Sequence, residues 1–180
     1  FLPIMIGIYS SYIMPQEENN RNWNKVLSMP VSKNLVFIAK LVQVFFMVLF
    51  SEIWICTLFV ISGKVIGLTS AIPWGKLVIW CLFGTLGGTV IAAIQLMISL
   101  FIKSFALPVG IALGGGLSGL VFLAKHLGHI WPYSLMAYGM NSNAPQELLE
   151  SGYVWFVVIC IVYIVLFMTI SSTILSKRDI

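Results

Sequence analysis

Glu52 is the residue whose type and setting most demand an explanation. It is a carboxyl inside an otherwise apolar run from Leu41 to Ile61. A charge at the centre of a bilayer costs about 2.5–3.5 kcal/mol on insertion scales, so Glu52 needs a partner, water or a proton. Two readings follow. Glu52 stands on a substrate path or a subunit interface, or it is a protonated or internally paired carboxyl that helps helices pack. Gln43 and Gln95 are weaker versions of the same oddity. His126 and His129, three apart, would share a helical face and could bind a metal, but only Glu147 or Glu150 could supply a third ligand. No metal site is assigned. Cys56, Cys81 and Cys160 each lie within an apolar run, form no CxxC pair and read as small buried hydrophobes. Gly63-Lys64 and Gly75-Lys76 are followed by Val and Leu, so neither is a P-loop and this chain is not expected to bind ATP that way. There is no GxSxG either. No catalytic set emerges, and no enzyme and no cofactor of its own are expected.

The elements that carry these residues are apolar to an unusual degree. The 180 residues are 59% hydrophobic and 9% charged, with mean hydropathy +1.01. A water-soluble domain has about 25% charged residues, so this chain could not clothe a surface in water. Its apolar residues come in continuous runs, not in alternation, which favours membrane-spanning helices over a barrel. The expected fold is an all-α polytopic transmembrane bundle in a single domain, residues 1–180. Complete spans are expected at 35–61, 77–102, 106–124 and 153–175, lengths that can cross with some tilt. Residues 1–14 would rise about 21 Å as a helix, short of a hydrocarbon core of about 30 Å. They are read as the end of a span whose beginning lies upstream.

Loops must alternate between the two sides of the membrane. One side receives Arg21, Lys25, Lys33, Lys40, Lys103, Lys177 and Arg178, seven basic residues; the other receives Lys64, Lys76 and Lys125, three. The positive-inside rule puts the first set, with the C-terminus, in the cytoplasm of a cell with these spans in its cytoplasmic membrane. The net charge of +4 is explained by orientation, and no nucleic-acid partner is expected.

Residues 16–34 are the most informative polar stretch. Glu17 and Glu18 follow Pro15, where acids favour a helix N-terminus, and Glu17 stands four residues before Arg21 in the favourable order. Trp23, Val26 and Leu27 fall on one face. Pro30 breaks the helix, and Ser32 can cap the next one. Physics alone admits an amphipathic helix resting on headgroups, or a docking helix entering a partner's groove. The order of a span, an acidic pair, a short helix, Leu27-Ser28-Met29-Pro30-Val31-Ser32-Lys33 and another span resembles the ABC-2 type permeases, as does the basic tail Lys177-Arg178-Asp179-Ile180. Within that class the chain most resembles permeases of lantibiotic self-immunity exporters. The resemblance implies that the five segments are spans two to six. It also implies a coupling helix around Glu17, Glu18, Arg21, Trp23, Val26, Leu27 and Pro30, an ATPase on a separate chain that binds the ATP, a second permease subunit, identical or related, and a peptide substrate.

Glycines recur at Gly84/Gly88, Gly110/Gly114 and Gly115/Gly119 in GxxxG spacing, which lets helix backbones approach in lipid. A flexible gate is the alternative for the fourth segment. In the loop 125–152, the stretch Ile130 to Met140, with Trp131, Pro132, Tyr133 and Tyr138, reads as amphipathic and interfacial. It resembles the re-entrant extracellular piece before the last span of ABC-2 permeases. Trp74 and Trp80 also read as interfacial anchors. An intramembrane protease of the CAAX type uses E-E-x-x-x-R, but Glu17-Glu18-Asn19-Asn20-Arg21 is one residue short, and the histidines would lie across the membrane from it. A secondary transporter remains a rival, although no inverted repeat is visible.

Overall fold

A computed structural model of the chain describes residues 1–14, 33–67, 71–102, 104–142 and 152–177. Among these residues there are only helices and turns. In chain order the helices are α1 (Leu2–Ile13), α2 (Lys33–Val65), α3 (Trp74–Phe101), α4 (Ala106–Ala124), a 3-10 turn (Pro132–Ser134), α5 (Leu135–Gly139) and α6 (Tyr153–Lys177). Four of them, α2, α3, α4 and α6, are long and apolar enough to cross a membrane. The protein is an all-α, polytopic membrane bundle.

Local chemistry explains the limits of the helices. Pro3 occupies the first turn of α1, where a missing N–H costs nothing, and Pro73 precedes α3. Hydroxyls within the helices bond back to their own backbone: Ser11 to Gly7 O at 2.6 Å, Thr85 to Cys81 O at 2.8 Å and Thr89 to Thr85 O at 2.7 Å. Such bonds let polar side chains stay in an apolar medium without an interhelical partner. The fourth expected span, 106–124, coincides with α4. The second is longer than the 35–61 read from hydropathy, because Lys33, Asn34 and the residues from Ser62 to Val65 continue the helix despite their polarity. Its 33 residues would extend about 50 Å, well beyond a hydrocarbon core of about 30 Å.

α3 is the hub. It packs against α1, α2, α5 and α6, and its face carrying Val90, Ile91, Ala92, Leu96 and Leu100 is buried in the core. The other long helices keep broad apolar faces uncovered, among them Phe46, Phe50, Trp54 and Leu58 on α2 and Val158, Val162 and Val165 on α6. Lipid tolerates such faces where water would not. Facing pairs set the directions. Gly84 and Gly88 of α3 meet Glu52 and Val48 of α2, so these helices are antiparallel; Pro3 and Gly7 of α1 meet Gly116 and Ala112 of α4 in the same antiparallel sense.

The segment between α4 and α6 does not stay at one surface. Its 3-10 turn and α5 insert among α3 and α4, with Leu135 and Met136 fully buried and Tyr133 nearly so. Ile130 to Met140 is therefore more buried than a purely interfacial stretch would be, as a re-entrant piece would be. The physical reason is a glycine notch. A Cβ on Gly87 would sit 2.6 Å from the Leu135 backbone, and one on Gly139 would sit 2.5 Å from Phe83 O. Only residues without a side chain allow backbones this close.

Candidate functional site

Glu52 lies on the seam between α2 and α3. It is completely buried, and neither carboxylate oxygen has a hydrogen-bond partner among the described residues. Gly84 faces it directly: a Cβ there would stand 3.1 Å from Glu52 Oε1 and 2.6 Å from Met140 Cγ. Gly84 of α3 thus lies against the carboxyl, with Met140 beside the same glycine. Its neighbours open onto two cavities. Ile53 and Cys56 line one of about 400 Å³, shared with Leu49, Trp74 and Cys81 between α2 and α3. Ile55 and Met140 line another of about 360 Å³, shared with Pro3, Gly119, Tyr133 and Ser142. Glu52 itself lines neither cavity. Both volumes are in the range of small-molecule sites, and their walls are mostly apolar.

Gln95 occupies a second polar position, eleven residues beyond Gly84 on α3 and so about 16 Å along the axis. The structure does not bring Glu52 and Gln95 together. Gln95 is fully buried, and its Nε2 donates to Tyr133 Oη at 2.7 Å. Its Oε1 has no partner among the described residues and faces Gly7 of α1. Gln95 lies six residues, about 9 Å, from the C-terminal end of α3, so the inserted segment sends Tyr133 deep into the bundle. Ser10 and Ser99 add two more buried hydroxyls without partners among the described residues.

The glycines divide. Gly115 and Gly119 form the bed for Tyr133, with Cβ positions 2.6 Å from its ring and 3.0 Å from its carbonyl oxygen. Gly84 and Gly88 bed Met140, Glu52 and Val48. Gly110 and Gly114 make no such contact: among the described residues nothing stands within 4 Å of a Cβ at either one. Successive residues of a helix are rotated about 100°, so the 110/114 edge points away from the 115/119 edge and out of the bundle. The sequence reading missed Gly7, whose Cβ would be 2.5 Å from Ala112 Cβ. The pair Gly7 and Ser11, four apart, is a small-xxx-small signal that could have found it.

The histidines do not share a helical face. His126 has φ 59° just after α4, so the helix has ended there, and His129 packs beside Tyr138 with ring centroids 6.4 Å apart. No group of three His, Cys, Asp or Glu that could hold a metal occurs among the described residues. The expected coupling residues Glu17, Glu18, Arg21, Trp23, Val26, Leu27 and Pro30 lie outside the described residues, as do Glu147, Glu150 and Lys103. Lys40, counted on sequence among the cations of the cytoplasmic side, lies in α2 and is buried. Its Nζ donates to Ile13 O at 2.8 Å and Met14 O at 3.4 Å, at the end of α1.

The family model described as ABC-2 family transporter protein matches residues 1–119, two-thirds of the chain. This chain belongs to the ABC-2 transporter family. No curated protein and no solved structure matches it. The matched region of this ABC-2 family protein runs from α1 into α4 and contains both Glu52 and Gln95. Membership makes it a membrane component of a transporter, which is not by itself an enzyme.

Proposed function

We propose that this protein is the membrane-spanning permease of an ATP-driven exporter, worked by an ATPase on a separate chain and paired with a second permease subunit. It would lie in the cytoplasmic membrane with its C-terminus inside. Residues 16–34 would dock on the ATPase through Trp23, Val26 and Leu27, with Glu17, Glu18 and Arg21 shaping the helix and Pro30 forming the elbow into α2. ATP binding would draw that segment with the closing ATPase and tilt the spans. The exported cargo would be a lantibiotic or related bacteriocin peptide, expelled for self-protection. Glu52 and Gln95 would face the path or the subunit interface.

The observation that carries this reading is the family match over residues 1–119, which contains the whole polar stretch between two apolar helices. The seven-to-three asymmetry of basic residues supports the orientation. Capture of the ATPase by the tagged permease tests it. Trp23→Glu with Leu27→Glu should abolish capture while the permease still accumulates in the membrane. Undiminished capture removes the docking site.

A further inference from the structure

We infer that Lys40 is a positioning residue that bolts the end of α1 to the base of α2, so that the two helices joined by residues 15–32 respond to a push on that stretch as one body. The coupling part of this inference rests on the ATPase-docking reading above; the bolt itself does not.

Lys40 sits in the second turn of α2 and is only 5% exposed. A lysine rarely enters an apolar core unless its head finds acceptors. The acceptors here belong to another helix, 26 and 27 residues earlier in the chain. α1 has no basic residue in its last turn and no glycine stop; its C-cap, Met14, keeps right-handed helical backbone. The carbonyls of a final helical turn have no intrahelical donors and carry the negative end of the helix dipole. Lys40 supplies a donor at Ile13 and Met14, the last residues before the connecting stretch. The surroundings add rigidity, because Ile13, Met14, Phe37, Leu41 and Val44 all belong to one buried cluster.

The mechanical consequence is specific. Along the chain, force applied between residues 15 and 32 enters the described bundle at Met14 and at Lys33. Without a tie at that point the two helix ends can separate and absorb the motion locally. With Lys40 bonded to the end of α1, they shift together against α3. Hydrogen bonds involving a charged group are strong, and in a low-dielectric interior they resist opening.

Spin labels at Tyr12→Cys and Asn34→Cys, both exposed, report the separation of the two ends in the full chain in nanodiscs, with Cys56, Cys81 and Cys160 replaced by Ala. Without nucleotide, the parent should give one narrow distance. Lys40→Met should raise the share of separated conformers about ten-fold or more, and Lys40→Arg should restore most of the narrow distribution. A narrow, parent-like distance in Lys40→Met overturns the bolt, and so does a Lys40→Arg distribution as broad as that of Lys40→Met. If Lys40→Met does not accumulate, Lys40→Gln, which keeps a shorter donor, is read in its place and should be intermediate. Failure of both to accumulate makes Lys40 a folding element and also overturns the proposal. In a second arm the ATPase is bound and trapped with ATP and vanadate. The parent distance should persist while that of Lys40→Met lengthens; an unchanged Lys40→Met distance there overturns the coupling role. Absence of ATPase capture by the parent defeats the docking reading instead, and leaves the nucleotide-free result standing on its own.

Discussion

Gly84 and Glu52 face each other across the seam of α2 and α3, so closely that a Cβ on the glycine would stand 3.1 Å from the carboxylate oxygen. Met140 closes the same space from the inserted segment. Gly84→Val should therefore push the carboxyl and the thioether together and lower stability by about 1–3 kcal/mol, the usual cost of overpacking. Gly114→Val, on the open edge of α4, should change stability by less than about 0.5 kcal/mol. Thermal unfolding of the purified protein in detergent compares them. Equal losses would mean that the α2–α3 seam is looser than the structure has it.

The bond from Gln95 to Tyr133 ties the inserted segment to α3. Tyr133→Phe removes the hydroxyl and leaves the buried amide without its acceptor; Gln95→Leu removes the amide. A double-mutant cycle on stability should give a coupling of about 0.6 kcal/mol, and no more than about 1.7 kcal/mol, the range found for interhelical hydrogen bonds in membranes. Zero coupling would separate the two groups in the folded protein. Gly119→Leu offers an independent check. Its side chain would displace the Tyr133 and Ser134 backbone and should cost more than either single change.

Much of this fold is visible in the sequence, because a membrane bundle announces itself by apolar runs. α4 can be read to the residue, and α3 and α6 nearly so. Where the reading falls short, pairing between distant parts of the chain decides. The role of Lys40 stays hidden because nothing near it in sequence reveals the carbonyls of Ile13 and Met14 as its acceptors. Tyr133 reads as an interfacial aromatic because the notch at Gly87, Gly115 and Gly119 lies on two other helices. Glu52 is conspicuous from the start, yet its position against Gly84 of α3 is a tertiary fact. The GxxxG spacing marks close approach at 84/88 and 115/119 but cannot tell which edge of α4 faces inward, so 110/114 is indistinguishable on sequence.

The sidedness proposed from the basic residues can be read with an impermeant thiol reagent on intact cells, in a background where Cys56, Cys81 and Cys160 are Ala. Asn34→Cys, at the start of α2, should react only after the membrane is opened. His126→Cys, exposed beyond the end of α4, should react directly. The reverse pattern would put the docking stretch out of reach of any ATPase inside the cell.

Glu52 admits a sharper test than its burial alone suggests, because two substitutions separate fold from function. The carboxyl makes no hydrogen bond to the described residues, so none of them rewards its polarity in the folded state. Glu52→Gln keeps the shape and should leave thermal stability within about 0.5 kcal/mol of the parent. Glu52→Leu removes an unsatisfied polar group and should raise stability by about 1 kcal/mol or more, since an orphaned polar group inside a protein costs about 1–3 kcal/mol. A residue kept at such a cost for transport should lose function in both variants. Under the function proposed above, export of a labelled lantibiotic from proteoliposomes holding the permease and the ATPase should fall about ten-fold or more, the effect of removing one charged contact worth about 1.5–3 kcal/mol. Full export by Glu52→Gln, with the complex assembled normally, would return Glu52 to a packing role on the seam of α2 and α3.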